Sequence, residues 1–125
     1  PGGIGITPIM SMLRSMAQRG DKRPILLFYA NREWETVTFR EEIAALEKKL
    51  NLKTVYVLEK PHPSWQGEGG FLNAAVIEKY LDKEWKKPQT HVFLCGPAPM
   101  MNAVEKAMNS IKFPEELIHS ERFSL

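Results

Sequence analysis

The segment Pro1-Gly2-Gly3-Ile4-Gly5-Ile6-Thr7-Pro8 determines how the rest of the sequence can be interpreted. Its three glycines let the backbone turn sharply and approach a ligand closely. Thr7 suits a helix N-cap and Pro8 the first helical position, and apolar residues at helical spacing follow as far as Gly20. Such a helix start favours an anion, above all a phosphate. The alternative is a tight loop that binds nothing, because short glycine patterns are weak signals.

Composition and charge are those of one ordinary globular domain, residues 1–125. The sequence is 43% hydrophobic and 26% charged, and its net charge of +2 gives no reason to expect nucleic-acid binding. A single cysteine excludes an intrachain disulfide framework and favours a reducing, intracellular setting. His62, His91 and His119 are scattered and show no ligand spacing, so we predict no metal site.

Apolar strands and amphipathic helices alternate along the sequence. Strands are predicted at residues 24–30, 54–58, 91–95 and 116–123. Between them, Thr38 and Glu41 have capping-box spacing ahead of an inward face of Phe39, Ile43, Leu46 and Leu50, and Asn73 can cap a short helix. The alternation predicts an α/β fold with three layers and a doubly wound, mainly parallel sheet.

Polar and glycine residues follow three of the predicted strands. Asn31 and Arg32 follow the first, Glu59 and Lys60 the second, and residues 95–97 close the third. Ligands of such folds gather at the carboxyl ends of the strands, so these groups are expected to share one edge with the glycine segment.

A glycine loop of this kind normally follows a buried strand, and no residue of the sequence precedes Pro1 to form one. Either the sequence is a fragment of a longer chain, or the sheet is built without that strand; an inner strand that is missing leaves the backbone groups of its neighbours unpaired. We expect upstream residues, a partner or a neighbouring copy to fill the position, or the sheet to close up.

Several motifs occur in an order that is characteristic of one family. They are GGIGITP at 2–8, YANR at 29–32, a Trp-x-Gly-x-x-Gly-Phe pattern at 65–71 with one additional glycine, CGPAPM at 95–100 and HSERF at 119–123. Together they resemble the pyridine-nucleotide domain of the ferredoxin–NADP reductase superfamily, in particular its NADH-using flavoprotein reductases. The resemblance spans essentially the whole chain.

The resemblance implies roles for two of these motifs. The segment 2–8 (Gly2, Gly3, Ile4, Gly5, Ile6, Thr7 and Pro8) would hold the dinucleotide pyrophosphate. Cys95, Gly96 and Pro97, with Met100 behind them, would lie where the nicotinamide meets the flavin. Cys95 is thereby assigned to the catalytic centre as a small contact to the ring, not as a nucleophile, since hydride transfer needs none. The alternative is a buried cysteine that acts as a small hydrophobic residue.

The resemblance also bears on the choice of nucleotide. Glu59 matches an acidic residue of NADH-using relatives, where a carboxylate can accept hydrogen bonds from the ribose hydroxyls and repel a 2′-phosphate. NADH is therefore expected rather than NADPH, although Lys60 and Arg32 could each bind a phosphate. Asn31 and Arg32 would lie beside the adenosine half, or be ordinary polar loop residues.

Two aromatic residues have alternative roles. Trp65 could shield the adenine, or fix its own loop to the core, which we favour. Phe123 resembles the aromatic residue that covers the flavin in many relatives, but Ser124 and Leu125 follow it, so the match is imperfect and an ordinary strand end is an equal alternative.

The function implied is that of an NADH-binding domain which positions the nucleotide for hydride transfer to FAD or FMN on a preceding domain. The chain would then be the C-terminal part of a longer reductase and would not be active alone. Its electron acceptor could be a haem or iron–sulfur protein, a ferric chelate or a flavin. A cytoplasmic location, or the cytoplasmic face of a membrane, is expected. The alternatives are a regulatory NAD(P)H-sensing module and a non-catalytic α/β interaction domain.

Overall fold

The computed structural model describes residues 1–82, 85 and 89–123. A 3-10 turn, Gly3–Gly5, leads directly into the first helix. The elements that follow are α1 (Ile6–Gln18), β1 (Ile25–Asn31), a 3-10 turn (Trp34–Thr36), α2 (Arg40–Lys49), β2 (Leu52–Leu58), β3 (Glu68–Gly69), α3 (Ala74–Tyr80), β4 (Val92–Pro97), α4 (Ala98–Ser110), a 3-10 turn (Glu115–Leu117) and β5 (Ile118–Phe123).

The strands form two parallel sheets rather than one. β1 pairs with β2 along its full length, from Ile25 opposite Leu52 to Asn31 opposite Leu58, and β3 adds a short edge to β2. β4 pairs with β5 in a second sheet. The predicted strands at 24–30, 54–58 and 91–95 are confirmed with small shifts of their ends, and β3 lies in a segment whose prolines and glycines predict only a loop.

The first two residues lie between the two sheets. The Ala30 N–H donates to the Pro1 carbonyl at 2.9 Å, and the Gly2 N–H donates to the Cys95 carbonyl at 3.2 Å. Gly2 is thus the parallel partner of Ala30 while it is also bonded to β4. Pro1 and Gly2 therefore occupy the position between β1 and β4 only at the carboxyl ends of these strands. The two sheets do not pair with each other there, so the expectation that the sheet closes up is wrong.

Helices cover both faces, so the predicted three layers are confirmed. On one face α1 and α2 pack through Met10 and Ile43 against the side chains of β1 and β2. On the other face α3 and α4 pack through Ile77 and Met101 against Val57 of β2 and its neighbours. In the described part of the chain, no α-helix has both the length and the hydropathy that crossing a bilayer requires.

Two of the predicted helix starts are wrong. Thr7 lies inside α1, because Gly5 already has helical angles and the 3-10 turn runs on without a break. Thr38 does not cap α2, because its hydroxyl lies 3.0 Å from that of Tyr29 and the N-cap is Phe39 in a left-handed conformation. Phe39 is also 38% exposed instead of facing the core.

The predicted cap at Asn73 is confirmed, and it provides a test of local stability. The Asn73 Oδ1 accepts a hydrogen bond from the Val76 N–H at 3.0 Å. Asn73→Ala should lower the free energy of unfolding by about 0.5–2 kcal/mol, because a first-turn amide of α3 loses its acceptor. Asn73→Asp is the matched control, since it keeps that acceptor. Equal urea midpoints for the two variants would contradict the capping role.

Candidate functional site

The glycine turn and the end of β4 are packed backbone against backbone. A Cβ added to Gly5 would overlap the Cys95 carbonyl and lie 2.9 Å from the Gly96 Cα. A Cβ added to Gly2 would lie 2.6 Å from the Met100 Sδ. The neighbours of Gly5 are backbone atoms, so the fold itself requires a residue without a side chain at Gly5, whereas Gly2 meets the flexible side chain of Met100.

Gly3 faces the opposite way, towards open space. It is exposed, its φ of +54° is one that glycine adopts readily, and outside its own turn no atom of the described residues lies within 4 Å of the place where a Cβ would be. The turn that contains it leads into α1, whose first amides lack intrahelical acceptors and whose positive dipole end points here. This geometry fits the predicted approach of a phosphate.

The loops after β1 and β2 are bonded to each other beyond the strands. The Glu59 N–H donates to the Asn31 carbonyl at 3.0 Å, and the Lys60 N–H donates to the Arg32 carbonyl at 2.8 Å. The side chains of Arg32, Glu59 and Lys60 are all exposed at this edge. Their polar groups are therefore available to a ligand beside the glycine turn.

Asn31 differs from these neighbours because its side chain is already engaged. Its Oδ1 accepts hydrogen bonds from the Arg32 N–H at 3.0 Å and from the Thr36 hydroxyl. Its amide nitrogen donates to the Thr36 carbonyl at 3.3 Å. Asn31 thus fixes the loop that carries Arg32.

The predicted ligand-facing groups share one edge of the molecule. From Glu59 the order across the edge is β2, β1, the Pro1–Gly2 segment and β4 with Cys95. Neighbouring strands lie about 4.8 Å apart, so three such steps place Glu59 roughly 15 Å from Cys95. The edge is long enough for an extended ligand that contacts the glycine turn near its middle.

Cys95 is buried, with 3% of its surface exposed. Burial raises the pKa of its thiol, and Glu121, its partner on β5, raises it further. The thiol therefore stays protonated at neutral pH, which suits a small apolar contact and not a nucleophile.

An aromatic cluster that the sequence does not single out lies behind the β1 and β2 loops. Trp34 packs edge-on against Tyr56, with 5.1 Å between ring centroids, and lies tilted against Trp65 at 5.5 Å. The Arg40 guanidinium lies over the Trp34 ring, 4.9 Å from its centroid. The Trp65 indole N–H donates to the Glu68 carbonyl at 3.0 Å. Trp65 therefore fixes its loop to the core.

Two of the three histidines come together, although the sequence separates them. The His91 Nδ1 lies 2.9 Å from the His119 Nε2, and the two rings are stacked. They lie at the amino ends of β4 and β5, opposite the edge that carries the glycine turn. Within the described ranges, no three His, Cys, Asp or Glu side chains gather closely enough to hold a metal ion.

Two predicted site residues are described only by their backbones. Ile4 lies in the 3-10 turn, and Phe123 is the partner of Pro97 at the end of β5. The backbone of Phe123 therefore reaches the same edge as Cys95, while the two side chains lie outside the described part of the structure.

Comparison with known proteins gives the family. The family model described as the oxidoreductase NAD-binding domain matches residues 1–106, which includes the glycine turn, Glu59 and residues 95–97. The chain belongs to the oxidoreductase NAD-binding domain family. The predicted relationship with the ferredoxin–NADP reductase superfamily is thereby confirmed.

Several relatives of this NAD-binding domain are reductases. It is 36% identical over 105 residues to NADH-cytochrome b5 reductase 2-A of Vanderwaltozyma polyspora, covering 82% of this chain and 35% of that protein. It is 34% identical over 120 residues to nitrate reductase [NADPH] of Fusarium oxysporum, covering 92% of this chain and 13% of that protein.

A solved structure gives the same result. The cytochrome b5 reductase domain of Ulva prolifera nitrate reductase superposes with a TM-score of 0.84 at 28% identity, covering 96% of this chain and 46% of that domain. The NAD-binding domain therefore spans about a third of the yeast reductase and less than half of the solved domain.

The contact between Gly5 and β4 can be tested directly. Gly5→Ala should destabilise the domain by about 1–3 kcal/mol, because the new methyl group overlaps the backbone of Cys95 and one segment must move. Gly69→Ala is the matched control, since its Cβ would be 3.7 Å from the nearest protein atom. Urea unfolding measures both variants. A cost for Gly5→Ala no larger than that for Gly69→Ala would show that the close contact is not made.

Proposed function

We propose that this domain binds NADH along the edge described above and presents its nicotinamide beside residues 95–97 to a flavin held by another domain. One observation carries the proposal. The open turn at Gly3, the acidic strand end at Glu59 and the buried Cys95 are joined by consecutive backbone hydrogen bonds into a single edge. That order fits the parts of a dinucleotide, with the pyrophosphate in the middle.

The pyrophosphate would be held by the backbone of residues 3–7. Gly3 leaves room for a close approach, and the first amides of α1 supply donors at the positive end of the helix dipole. Pro8 has no N–H, so the donors come from the residues before it. No lysine or arginine of the chain lies within these residues, so the backbone carries the interaction.

The adenosine ribose would lie against Glu59. The backbone of Glu59 is fixed at the end of β2 by the bond from its N–H to the Asn31 carbonyl, and its exposed carboxylate can accept hydrogen bonds from two ribose hydroxyls. The same charge would repel a 2′-phosphate, which favours NADH. Arg32 and Lys60 would instead favour a 2′-phosphate, and the relatives named above include an NADH-cytochrome b5 reductase and a nitrate reductase [NADPH].

Beside the nicotinamide, the chain would provide a surface that fits the ring and carries no charge. The protonated thiol of Cys95 and the bare backbone of Gly96 form a small, uncharged surface, with Met100 packed behind them. Nicotinamide and flavin supply the hydride-transfer chemistry when both are bound, and the protein orients the rings and excludes water. The flavin would be FAD or FMN on an upstream domain.

The electron acceptor would contact parts of a longer reductase that lie outside this domain. Haem, iron–sulfur, ferric and flavin acceptors all fit the proposal, and the cytochrome b5 reductase relatives favour a haem protein. Neither the described structure nor the relatives reported above offer an observation in favour of a regulatory sensor or a non-catalytic interaction domain.

The choice of nucleotide is tested by calorimetric titration of the folded chain with NADH and with NADPH. We expect NADH to bind about tenfold more tightly or better, which corresponds to about 1.4 kcal/mol. Glu59→Ser should reduce that ratio several-fold, mainly by improving NADPH binding. Glu116→Ser is the matched control, because Glu116 is an exposed glutamate ahead of β5 at the opposite edge.

Other results would contradict parts of the proposal. Tighter binding of NADPH would refute the role of Glu59 and shift it to Arg32 and Lys60. An unchanged ratio in Glu59→Ser would do the same. A folded chain that binds neither nucleotide would refute a self-sufficient site, and a chain that purifies with flavin and oxidises NADH at an ordinary enzymatic rate would refute the need for a second domain.

A further inference from the structure

The six methionines of the chain differ in exposure and in what they contact. Three are buried in the core, namely Met10, Met101 and Met108. Three are partly exposed, namely Met12, Met16 and Met100. Met12 and Met16 lie on α1 and pack against the core, whereas Met100 lies in the first turn of α4, directly after β4. Of the three partly exposed thioethers, that of Met100 is therefore the one beside the contact between the glycine turn and β4.

The thioether of Met100 fills the space between two glycines. A Cβ added to Gly2 would lie 2.6 Å from the Met100 Sδ and 3.8 Å from its Cε, and a Cβ added to Gly96 would lie 2.7 Å from the same Cε. Distances below 3.0 Å are ones that real Cβ atoms do not show, so the end of the Met100 side chain occupies the places of both missing side chains. An unbranched side chain with a polarizable sulfur suits such an irregular gap.

This packing covers the hydrogen bonds that hold the turn. The Gly2 N–H donates to the Cys95 carbonyl at 3.2 Å, and the Gly5 N–H donates to the Gly2 carbonyl at 3.0 Å. Gly2 and Gly96 are both buried, and the apolar end of Met100 is in contact with each of them. A change in the polarity or size of this one side chain therefore acts directly on the link between the turn and β4.

We propose that Met100 is an oxidation site, at which a hydroperoxide converts the thioether to a sulfoxide and thereby loosens the glycine turn. A lone pair of the Met100 sulfur attacks one peroxide oxygen, and the S–O bond forms as the O–O bond breaks. The attacked oxygen gives its proton to the leaving oxygen, which departs as water, or as an alcohol from an organic hydroperoxide. The sulfur loses two electrons and the peroxide gains them.

The sulfoxide does not fit where the thioether packs. Oxidation turns a flexible apolar side chain into a polar one with an additional atom on the sulfur. Because there is no free space between the Met100 Sδ and Gly2, the new oxygen displaces the turn, or the side chain turns outwards and leaves both glycines unpacked. Either arrangement weakens the bond from Gly2 to Cys95. Methionine sulfoxide reductases restore the thioether, so the change is reversible.

Cys95 is the other sulfur at this edge, and it is the poorer target. Peroxides react with the thiolate form of cysteine, whereas burial raises the pKa of the Cys95 thiol and only 3% of the residue is exposed. A thioether needs no deprotonation before it reacts, and Met100 is the more exposed of the two residues. Oxidation at this edge is therefore directed to Met100.

The consequence for nucleotide binding rests on the function proposed above. The first amides of α1 follow directly from the glycine turn, so a turn that moves away from β4 no longer holds them in place for a pyrophosphate. Oxidation of Met100 should then lower the affinity for NADH. The loosening of the turn itself can be measured without any nucleotide.

The test combines peptide mapping with amide hydrogen exchange. The chain is treated with hydrogen peroxide, the peroxide is removed, and mass spectrometry gives the sulfoxide fraction at each methionine. Exchange is then measured at Gly2 and Ala30, whose N–H groups bond to the carbonyls of Cys95 and Pro1. With Met100 oxidised, we expect exchange at both amides to be about tenfold faster and NADH to bind about tenfold more weakly. Exchange at Val76, which bonds to Asn73 on α3, should not change.

Substitutions assign the effect to one sulfur. Met100→Leu keeps an apolar side chain of similar volume without a thioether, and its exchange and NADH affinity should be the same before and after peroxide. Met12→Leu is the matched control, since it removes a partly exposed methionine of α1 and should leave the response to peroxide intact. Met100→Gln places a polar group of similar length beside the glycines, so it should show the fast exchange at Gly2 without peroxide, whereas Met12→Gln should not.

The remaining outcomes each decide the question. Sulfoxide at Met12 and Met16 without sulfoxide at Met100, or unchanged exchange at Gly2 when Met100 is fully oxidised, overturns the inference. An equal response to peroxide in Met100→Leu, or oxygen found on Cys95 instead, also overturns it, as does an effect that methionine sulfoxide reductase does not reverse. Faster exchange at Gly2 in a chain that binds neither nucleotide before oxidation supports the inference and refutes the proposed function.

Discussion

The rest of the structure depends on the contact between the glycine turn and the end of β4. The Gly2 N–H bonds to the Cys95 carbonyl, and Gly5 lies so close to the same carbonyl that no side chain fits between them. Because the Pro1 carbonyl accepts from Ala30 on the other side, these few residues link by backbone hydrogen bonds two sheets that do not pair with each other directly in the described structure. The same contact fixes where α1 begins, and hence where its first amides lie.

The contact between the glycine turn and β4 also determines which groups the proposed ligand edge can offer. The anion site proposed for the glycine turn is made only of backbone and needs amides that are held in place, and the turn is held by β1 and β4 together. Glu59 is fixed relative to it through Asn31, and Cys95 through the direct contact. In the proposed function, the domain positions the nucleotide, and the reacting groups belong to the cofactors.

Local sequence patterns predict most of the elements, because apolar runs and the cap at Asn73 depend on neighbouring residues. Thr7 and Thr38 show where such patterns fail, since a turn that continues into α1 and a bond to Tyr29 override good capping residues. The pairing of His91 with His119 and the cluster around Trp34 depend on strand neighbours that are distant in sequence. Motif order predicts that the glycine turn, Glu59 and Cys95 share one edge, and the backbone bonds of the structure bring them together there.

The most direct test of the account is the footprint of NADH on the backbone amides. Amide chemical shifts of the chain, recorded with and without saturating NADH, locate the bound nucleotide without any assumption about catalysis. The account predicts the largest changes at Gly3 and Thr7, with further changes at Lys60 and Gly96, and none at His91 or His119. Changes confined to the edge that carries the two histidines, with the glycine turn unaffected, would contradict it.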